Sequence, residues 1–467
     1  MPTDFSALIE ADRGQPGRLI HVVDKAGLDG WLRTLPPRAR AAVAAHRFEG
    51  KDGEFVILSG EGPDEWTAAL GVANANALGP WDLARAAEAL PEGMYRVSTA
   101  PARAALGWLL AQHRFARYRK AEKPVGARVL LTPDPARIDE VARLAEAIAL
   151  VRDLVNTPAQ DMGPAQLEQA ARELGEAFGV APRVTVGERL AAGFPLIAAV
   201  GHAAGTGREP RLIELEWGDP AHPRIAIIGK GVCFDTGGLD IKPSAGMRLM
   251  KKDMGGAAHA LGLARLIMGA RLPVRLHLLV PAVENAIAGD AMRPGDVFRS
   301  RAGLTVEITN TDAEGRLILA DALTRAGEDA PELIVDFATL TGAARVALGP
   351  DLPATFANDD ALASDLLAAG STESDPLWRL PLWPGYDEML RSDIADMENA
   401  PEGGMAGAIT AALFLQRFVV KGTSWAHLDT FAWRSVPRPG RPKGGDALGL
   451  RAVWSYLRAR YLAEAHG

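Results

Sequence analysis

Short apolar runs and helix-spaced apolar stripes alternate along most of the chain, and their texture changes near Ile197. In the first third, Leu19 to Val23, Phe55 to Leu58 and Val129 to Leu131 read as strands. Pro80 to Leu90 and Ala102 to Arg119 read as helices, the second opened by Pro101 with Leu106, Leu109, Leu110, His113 and Phe115 near helical spacing. His113 has no second histidine or acid four residues on, so it reads as a packed helix residue rather than a ligand. The TPDP at 132–135 breaks the pattern. After it, Ile138, Val141, Leu144, Ala145, Ile148 and Val151 form the buried stripe of a helix that closes at Asn156-Thr157-Pro158.

Beyond Ile197 the apolar runs lose their polar alternation. Leu212 to Trp217, Ile225 to Ile228, Val274 to Val280 and Leu333 to Phe337 are rich in Val, Ile and Leu, with helical patterns at Gly255 to Met268 and Leu317 to Ala326 between them. Such strands imply a sheet covered on both faces. The expected fold is therefore α/β: an N-terminal mixed α/β domain over 1–134, a connecting helix over 135–156, and a larger C-terminal α/β domain over 157–467 with a central, mostly parallel sheet covered by helices. Ligands of such sheets gather at the carboxyl ends of strands, which directs attention to Gly229 and the residues after it.

Composition narrows the function classes. The 467 residues carry a formal net charge of -7, so nucleic acid is not the expected partner and anionic membranes are not attracted. The single cysteine, Cys233, excludes an internal disulfide and a cysteine-based structural zinc site. No apolar run approaches the length of a membrane span, and the opening MPTDFSALIEADRG lacks the apolar core of a secretory signal. A cytoplasmic protein is expected. No HExxH, GxSxG or P-loop pattern occurs.

Candidate chemistry lies in two stretches. NTDAEGRL, from Asn310 to Leu317, places Asp312, Glu314 and Arg316 at alternate positions, where an extended or tightly turned backbone could aim them at one point. An ordinary solvated turn explains the octapeptide equally well, since Asn and Asp bond their own backbone. The second stretch, GKGVCFDTGGLDIKPSAGMRLMKKDMGGAAHA, follows the 225–228 strand and carries Lys230, Asp235, Lys242 and Asp253 among many glycines. Four carboxylates cannot share a dry site without counter-charge. Two divalent cations would provide it, and paired cations activate water and polarise a carbonyl or phosphoryl group.

The order GKGVCFDTGG, IKPSAGM, KKDMGGAA, PAVENAIAGDAMRPGDV, NTDAEGRL and DFATLTGA resembles the leucyl aminopeptidase family of dinuclear metallo-exopeptidases over about residues 150–430. The resemblance implies that Lys230, Asp235, Asp253 and Glu314 hold a tighter metal ion, and that Asp235, Asp312 and Glu314 hold a more exchangeable one. Mn or Zn are the expected ions. It further implies that Lys242 stabilises the oxyanion as water attacks the scissile carbonyl, and that Arg316 holds a bicarbonate ion as proton shuttle. Met250, Thr339, Leu340 and Gly342 match positions that line the first side-chain pocket or bind the substrate backbone; Met250 could equally be a gap-filling core residue. The implied substrate is a peptide or aminoacyl compound with a free N-terminus, and the implied assembly a homo-hexamer.

The chain departs from the family pattern after His427, where Asp429-Thr430-Phe431-Ala432-Trp433 is shorter than the usual glycine-containing turn. Phe431 could reshape the pocket wall, which leaves leucine preference open. His427 and Cys233 are not expected to be ligands. Two rival readings are a dinuclear phosphoesterase, which the same carboxylates would permit, and a DNA-binding regulator, which the acidic balance opposes.

Overall fold

The computed structural model describes residues 3–62, 65–120 and 125–464. The chain divides into two compact units, one formed by residues 1–149 with 435–443 and the other by 150–434 with 444–467.

The first unit is built on a six-stranded sheet. Its strands lie in the order Ile9–Ala11, Arg128–Thr132, Gly93–Val97, Arg18–Val23, Trp66–Gly71 and Phe55–Ser59, parallel except for the last pair. Val23, Leu35, Val43, Phe48, Val56 and Leu58 make one of its apolar clusters. The helix predicted over Ala102 to Arg119 is much shorter: a 3-10 turn at Ala102–Ala104 runs into an α-helix at Ala105–Leu110. A polar contact ends it. The Gln112 amide accepts from Arg128 N at 3.0 Å and donates to Arg128 O at 2.9 Å, which pins the chain to a strand instead of a helical turn. His113 therefore lies beyond the helix, buried, with Nδ1 3.1 Å from Thr3 Oγ1. The basic stretch near the end of the sequence returns to this unit, where Gly440 N donates to Glu88 Oε1 at 2.8 Å.

The second unit holds a nine-stranded sheet. Its centre is parallel, in the order Ser424–Asp429, Leu333–Ala338, Arg224–Gly229 and Arg275–Asn285. Antiparallel neighbours flank the centre, Ala354–Ala357 on one side and Arg211–Trp217 followed by Arg183–Val186 on the other. Every residue of Leu333–Ala338 is buried, including Asp336, whose carboxylate accepts from Trp425 Nε1 at 2.7 Å and meets His427 Nδ1. Ala226 and Ile228 join the cluster containing Leu317, Leu319 and Leu323 of the helix Glu314–Gly327. By strand alternation Ile225 and Ile227 face the other way. The helix Gly255–Gly269 also packs on this strand, so helices flank the sheet as expected.

Candidate functional site

Functional side chains collect where the central strands end. Lys230 directly follows the strand Arg224–Gly229, its N–H donating to Phe337 O of the neighbouring strand at 3.0 Å. The chain continues as a short strand, Gly231–Asp235, that pairs with the far end of Arg275–Asn285 and delivers Asp235. Asp253 precedes the helix Gly255–Gly269, and Glu314 opens the helix Glu314–Gly327 with its carboxylate at the positive end of the helix dipole. Asp312 stands in the turn before it, where Asp312 N donates to Asn310 Oδ1 at 2.8 Å. NTDAEGRL is thus a turn and also a supplier of converging carboxylates.

Glycines make the approach close. A Cβ on Gly256 would lie 2.1 Å from Phe337 O, so the helix start can sit against the sheet only without one. A Cβ on Gly315 would lie 2.4 Å from Lys230 Cε. Gly237 takes φ +86°, a conformation that favours glycine, in the loop between Asp235 and Lys242.

One oxygen from each of Asp235, Asp312 and Glu314 lies within 4.8 Å of the others. Lys230 Nζ is 2.7 Å from Asp253 Oδ2 and 3.0 Å from Glu314 Oε1, and it donates to Thr339 O at 3.1 Å. Lys242 Nζ is 2.8 Å from Asp235 Oδ2 and also pairs with Asp312 Oδ1. Glu314 Oε2 is buried with no hydrogen-bond partner among the described residues, and the buried Glu314 Oε1, Asp312 Oδ1 and Asp253 Oδ2 face only the lysine ammonium groups. Such oxygens are costly unless a cation meets them. The donor set therefore fits hard or borderline divalent ions.

The electrostatics follow from crowding. Burial and the neighbouring Asp235 push Glu314 up to about 8 and Asp312 up to about 6. Burial opposes the charge on Lys230, but Asp253, Glu314 and Asp235 outweigh it and hold the ammonium above an ordinary lysine. Lys242 is raised in the same way, chiefly by Asp235 against burial. A second acidic group, Glu216, His277 and Asp329, contrasts with this one. Arg224 and Arg325 lie 2.7 and 2.8 Å from Asp329, and Arg275 lies 3.1 Å from Glu216. Three arginines thus serve its two carboxylates, whereas Lys230 and Lys242 alone pair closely with the four carboxylates Asp235, Asp253, Asp312 and Glu314.

Arg316 does not join the carboxylates by alternation. Glu314 and Arg316 occupy a helix, where positions two apart point well away from each other. Its Nη1 donates to Asn399 O at 2.7 Å, and burial lowers its guanidinium to about 10. Thr339 touches the cluster directly, Oγ1 donating to Asp253 Oδ1 at 2.7 Å. Leu340 and Gly342 follow the same strand end, and Met250 starts the 3-10 turn that leads to Asp253.

Four residues escaped the sequence reading. Asn285 Nδ2 donates to Asp235 Oδ1 at 2.9 Å and to Thr311 O at 3.1 Å, tying the two stretches together. Thr311 Oγ1 donates to Gly237 O at 2.6 Å. Asn399 accepts from Thr309 N at 2.8 Å and donates to Asn310 O at 2.7 Å, fixing the turn. Asp429 accepts from Leu340 N at 3.0 Å and Thr341 N at 3.1 Å. Asn285 and Thr311 lie inside the PAVEN and NTDAEGRL motifs, where a signal existed; Asn399 and Asp429 reach the site only through the fold. His427 is buried against Asp336, with Nδ1 2.5 Å from Oδ1, and Cys233 is buried with Sγ 3.7 Å from Gly231 O.

The fold and this donor set define an α/β protein with a carboxylate-rich cluster suited to cations at its strand ends. Residues 149–454 match the model of the cytosol aminopeptidase family, catalytic domain, and residues 19–132 match the M17 aminopeptidase, N-terminal domain. A probable cytosol aminopeptidase of Syntrophotalea carbinolica is 44% identical over 368 residues, 75% of this chain and 73% of that protein. The crystal structure of cytosol aminopeptidase from Coxiella burnetii is 46% identical with a TM-score of 0.92, covering 97% of this chain and 99% of that one. The bottromycin maturation enzyme BotP in complex with Mn is 33% identical with a TM-score of 0.86, over 97% and 99% of the two chains.

The chain belongs to the cytosol aminopeptidase (M17) family, a metal-dependent family, and is a metallo-aminopeptidase that hydrolyses peptides.

Proposed function

We propose that this aminopeptidase works at a two-metal site formed by Lys230, Asp235, Asp253, Asp312 and Glu314. The observation that carries the reading is the convergence of four carboxylates, Asp235, Asp253, Asp312 and Glu314, on only two closely paired lysines, Lys230 and Lys242, which leaves negative charge for cations to meet. Lys230, Asp235, Asp253 and Glu314 would hold the tighter ion, and Asp235, Asp312 and Glu314 the more exchangeable one, with Mn or Zn as the best candidates. When bound, such ions supply Lewis acidity and a water acidic enough to act as nucleophile near neutral pH. Lys230 donates its nitrogen only after losing its proton, a loss that an adjacent dication favours.

Lys242 stands at the more open edge of the cluster, its side chain 14% exposed against 3% for Lys230. From there its ammonium can meet the negative charge that develops on the scissile carbonyl oxygen. Arg316 has a single hydrogen bond among the described residues, to Asn399 O, which leaves guanidinium N–H groups for a bicarbonate ion that accepts and returns a proton. Met250, Thr339, Leu340 and Gly342 line the site for the N-terminal residue, and anchoring of the free amine limits cleavage to chain ends.

We further propose a homo-hexamer in the cytoplasm. The assembly is supported by the family and by Trp378, Trp383, Ile394 and Met405, apolar side chains each more than half exposed in the single chain. No helix among the described residues is long and apolar enough to cross a membrane.

The test is hydrolysis of aminoacyl amides and of a phosphoester by purified protein with Mn, Zn, Co or Mg, beside Glu314→Ala. The native chain should cleave amides only, and the variant should lose both activity and bound metal. A variant with near-normal turnover and two ions per chain would refute the assignment of Glu314, and phosphoester cleavage would revive the rival reading.

A further inference from the structure

Lys252 is a buried cation beside the site that the reaction as proposed does not use. It ends the turn Met250–Lys252 and is 5% exposed. Its ammonium donates no hydrogen bond among the described residues, and the one carboxylate oxygen near it, Asp253 Oδ1, is 3.6 Å away. That oxygen already accepts from Thr339 Oγ1 at 2.7 Å, while Asp253 Oδ2 faces Lys230 at 2.7 Å. Asp253 therefore makes its close hydrogen bonds elsewhere, and Lys252 keeps only a long ion pair to it, with no hydrogen-bond acceptor among the described residues.

An aromatic ring covers this cation. Lys252 Nζ lies 5.2 Å from the centre of Phe431, and the Arg345 guanidinium lies 5.8 Å from the same ring. Arg345 is spent on Asp429, with which it pairs directly. Phe431 sits in the shortened turn, anchored by Thr430 N donating to Ala338 O at 2.8 Å. The turn packs on the pocket: a Cβ on Gly255 would lie 2.4 Å from Ala432 Cβ and 3.1 Å from Thr339 Cγ2. Lys252, Phe431 and Thr339 thus share one side of Asp253, two residues from Met250.

We infer that Lys252, screened by Phe431, selects substrates whose N-terminal residue is acidic, glutamyl or aspartyl. The inference rests on Met250, Thr339 and Leu340 forming the pocket for that residue. A buried ammonium lacking an acceptor is unfavourable, and a substrate carboxylate supplies the missing anion and acceptor together. An apolar side chain leaves the ammonium without an acceptor, and a cationic one is repelled. A site with a buried polar group discriminates strongly against ligands that fail to pair it. The Phe431 face meanwhile offers apolar contact to the methylenes of a glutamyl side chain.

The experiment measures kcat/KM for glutamyl, aspartyl, leucyl and lysyl 4-nitroanilides with Mn-loaded enzyme, for the native chain, Lys252→Met and Lys252→Arg, with metal content determined for each. The native enzyme should cleave the glutamyl substrate at least as efficiently as the leucyl one. Lys252→Met should lower the glutamyl-to-leucyl ratio by about tenfold or more, and Lys252→Arg should keep it within about threefold. An unchanged ratio in Lys252→Met overturns the proposal. So does an equal fall on all substrates with loss of metal, which would make Lys252 a support for Asp253. If the native enzyme leaves every anilide intact, the pocket reading beneath the proposal fails as well, and the two failures are told apart.

Discussion

Two lysines in one cluster differ in position though not in residue type. Lys230 is enclosed by Asp253, Glu314 and Thr339 O, whereas Lys242 meets Asp235 and Asp312 at the cluster's more open side. On the proposed reading, removal of Lys242 takes away a charge from the side the substrate approaches and leaves the enclosed donors in place. Lys242→Ala should therefore retain bound metal and lose turnover by a factor on the order of 100 or more, as loss of one oxyanion partner does in other hydrolases. Metal analysis beside kcat checks this; collapse of metal content would make Lys242 a ligand. Both lysines were legible from motif spacing, as were Asp235, Asp253, Asp312 and Glu314. The isolation of Lys252 was not, because it depends on what Thr339 and Lys230 do to Asp253.

At the scale of elements, the site depends on how closely the helix Glu314–Gly327 approaches the strand end at Lys230. Gly315 leaves room for the end of the Lys230 side chain, since a Cβ there would lie 2.4 Å from Lys230 Cε. On an isolated helix Gly315→Ala would add stability through propensity. Here it should push Lys230 aside and cost activity on the order of 100-fold, the usual penalty for a displacement near 1 Å at a reacting centre. Far-ultraviolet circular dichroism should stay native while kcat and metal affinity fall. An active variant with unchanged metal affinity would show that the helix yields without cost. The elements were legible where burial is nearly complete, as in Leu333–Ala338 and Gly255–Gly269, because most positions on both faces are apolar. The over-long helix from Ala102 ends where the Gln112 side chain bonds the Arg128 backbone and its own Trp108 O, while Gln112 N turns to Leu109 O.

For the whole molecule, the exposed tryptophans and the family place assembly among the properties to test. Sedimentation velocity of the metal-loaded protein should give a species of six chains, and a stable, fully active monomer would contradict the proposed hexamer. The division of the chain is also a whole-molecule feature. Residues 435–443 leave the second unit and return to the first, although the SVPRPGRPKGG run reads locally as a basic, irregular loop.

The sequence by itself determined the α/β class, the catalytic family and the identity of the cluster, because these rest on apolar runs and on motifs whose residues lie close together in the chain. Tertiary structure decided what those residues touch. It set Asn285 between Asp235 and Thr311, brought Asp429 under Leu340 and Thr341, and left Lys252 beneath Phe431 without an acceptor. The physical reason is that hydrogen bonding and burial are properties of neighbours in space, and the strands Arg224–Gly229, Leu333–Ala338 and Ser424–Asp429 that supply those neighbours are far apart in sequence.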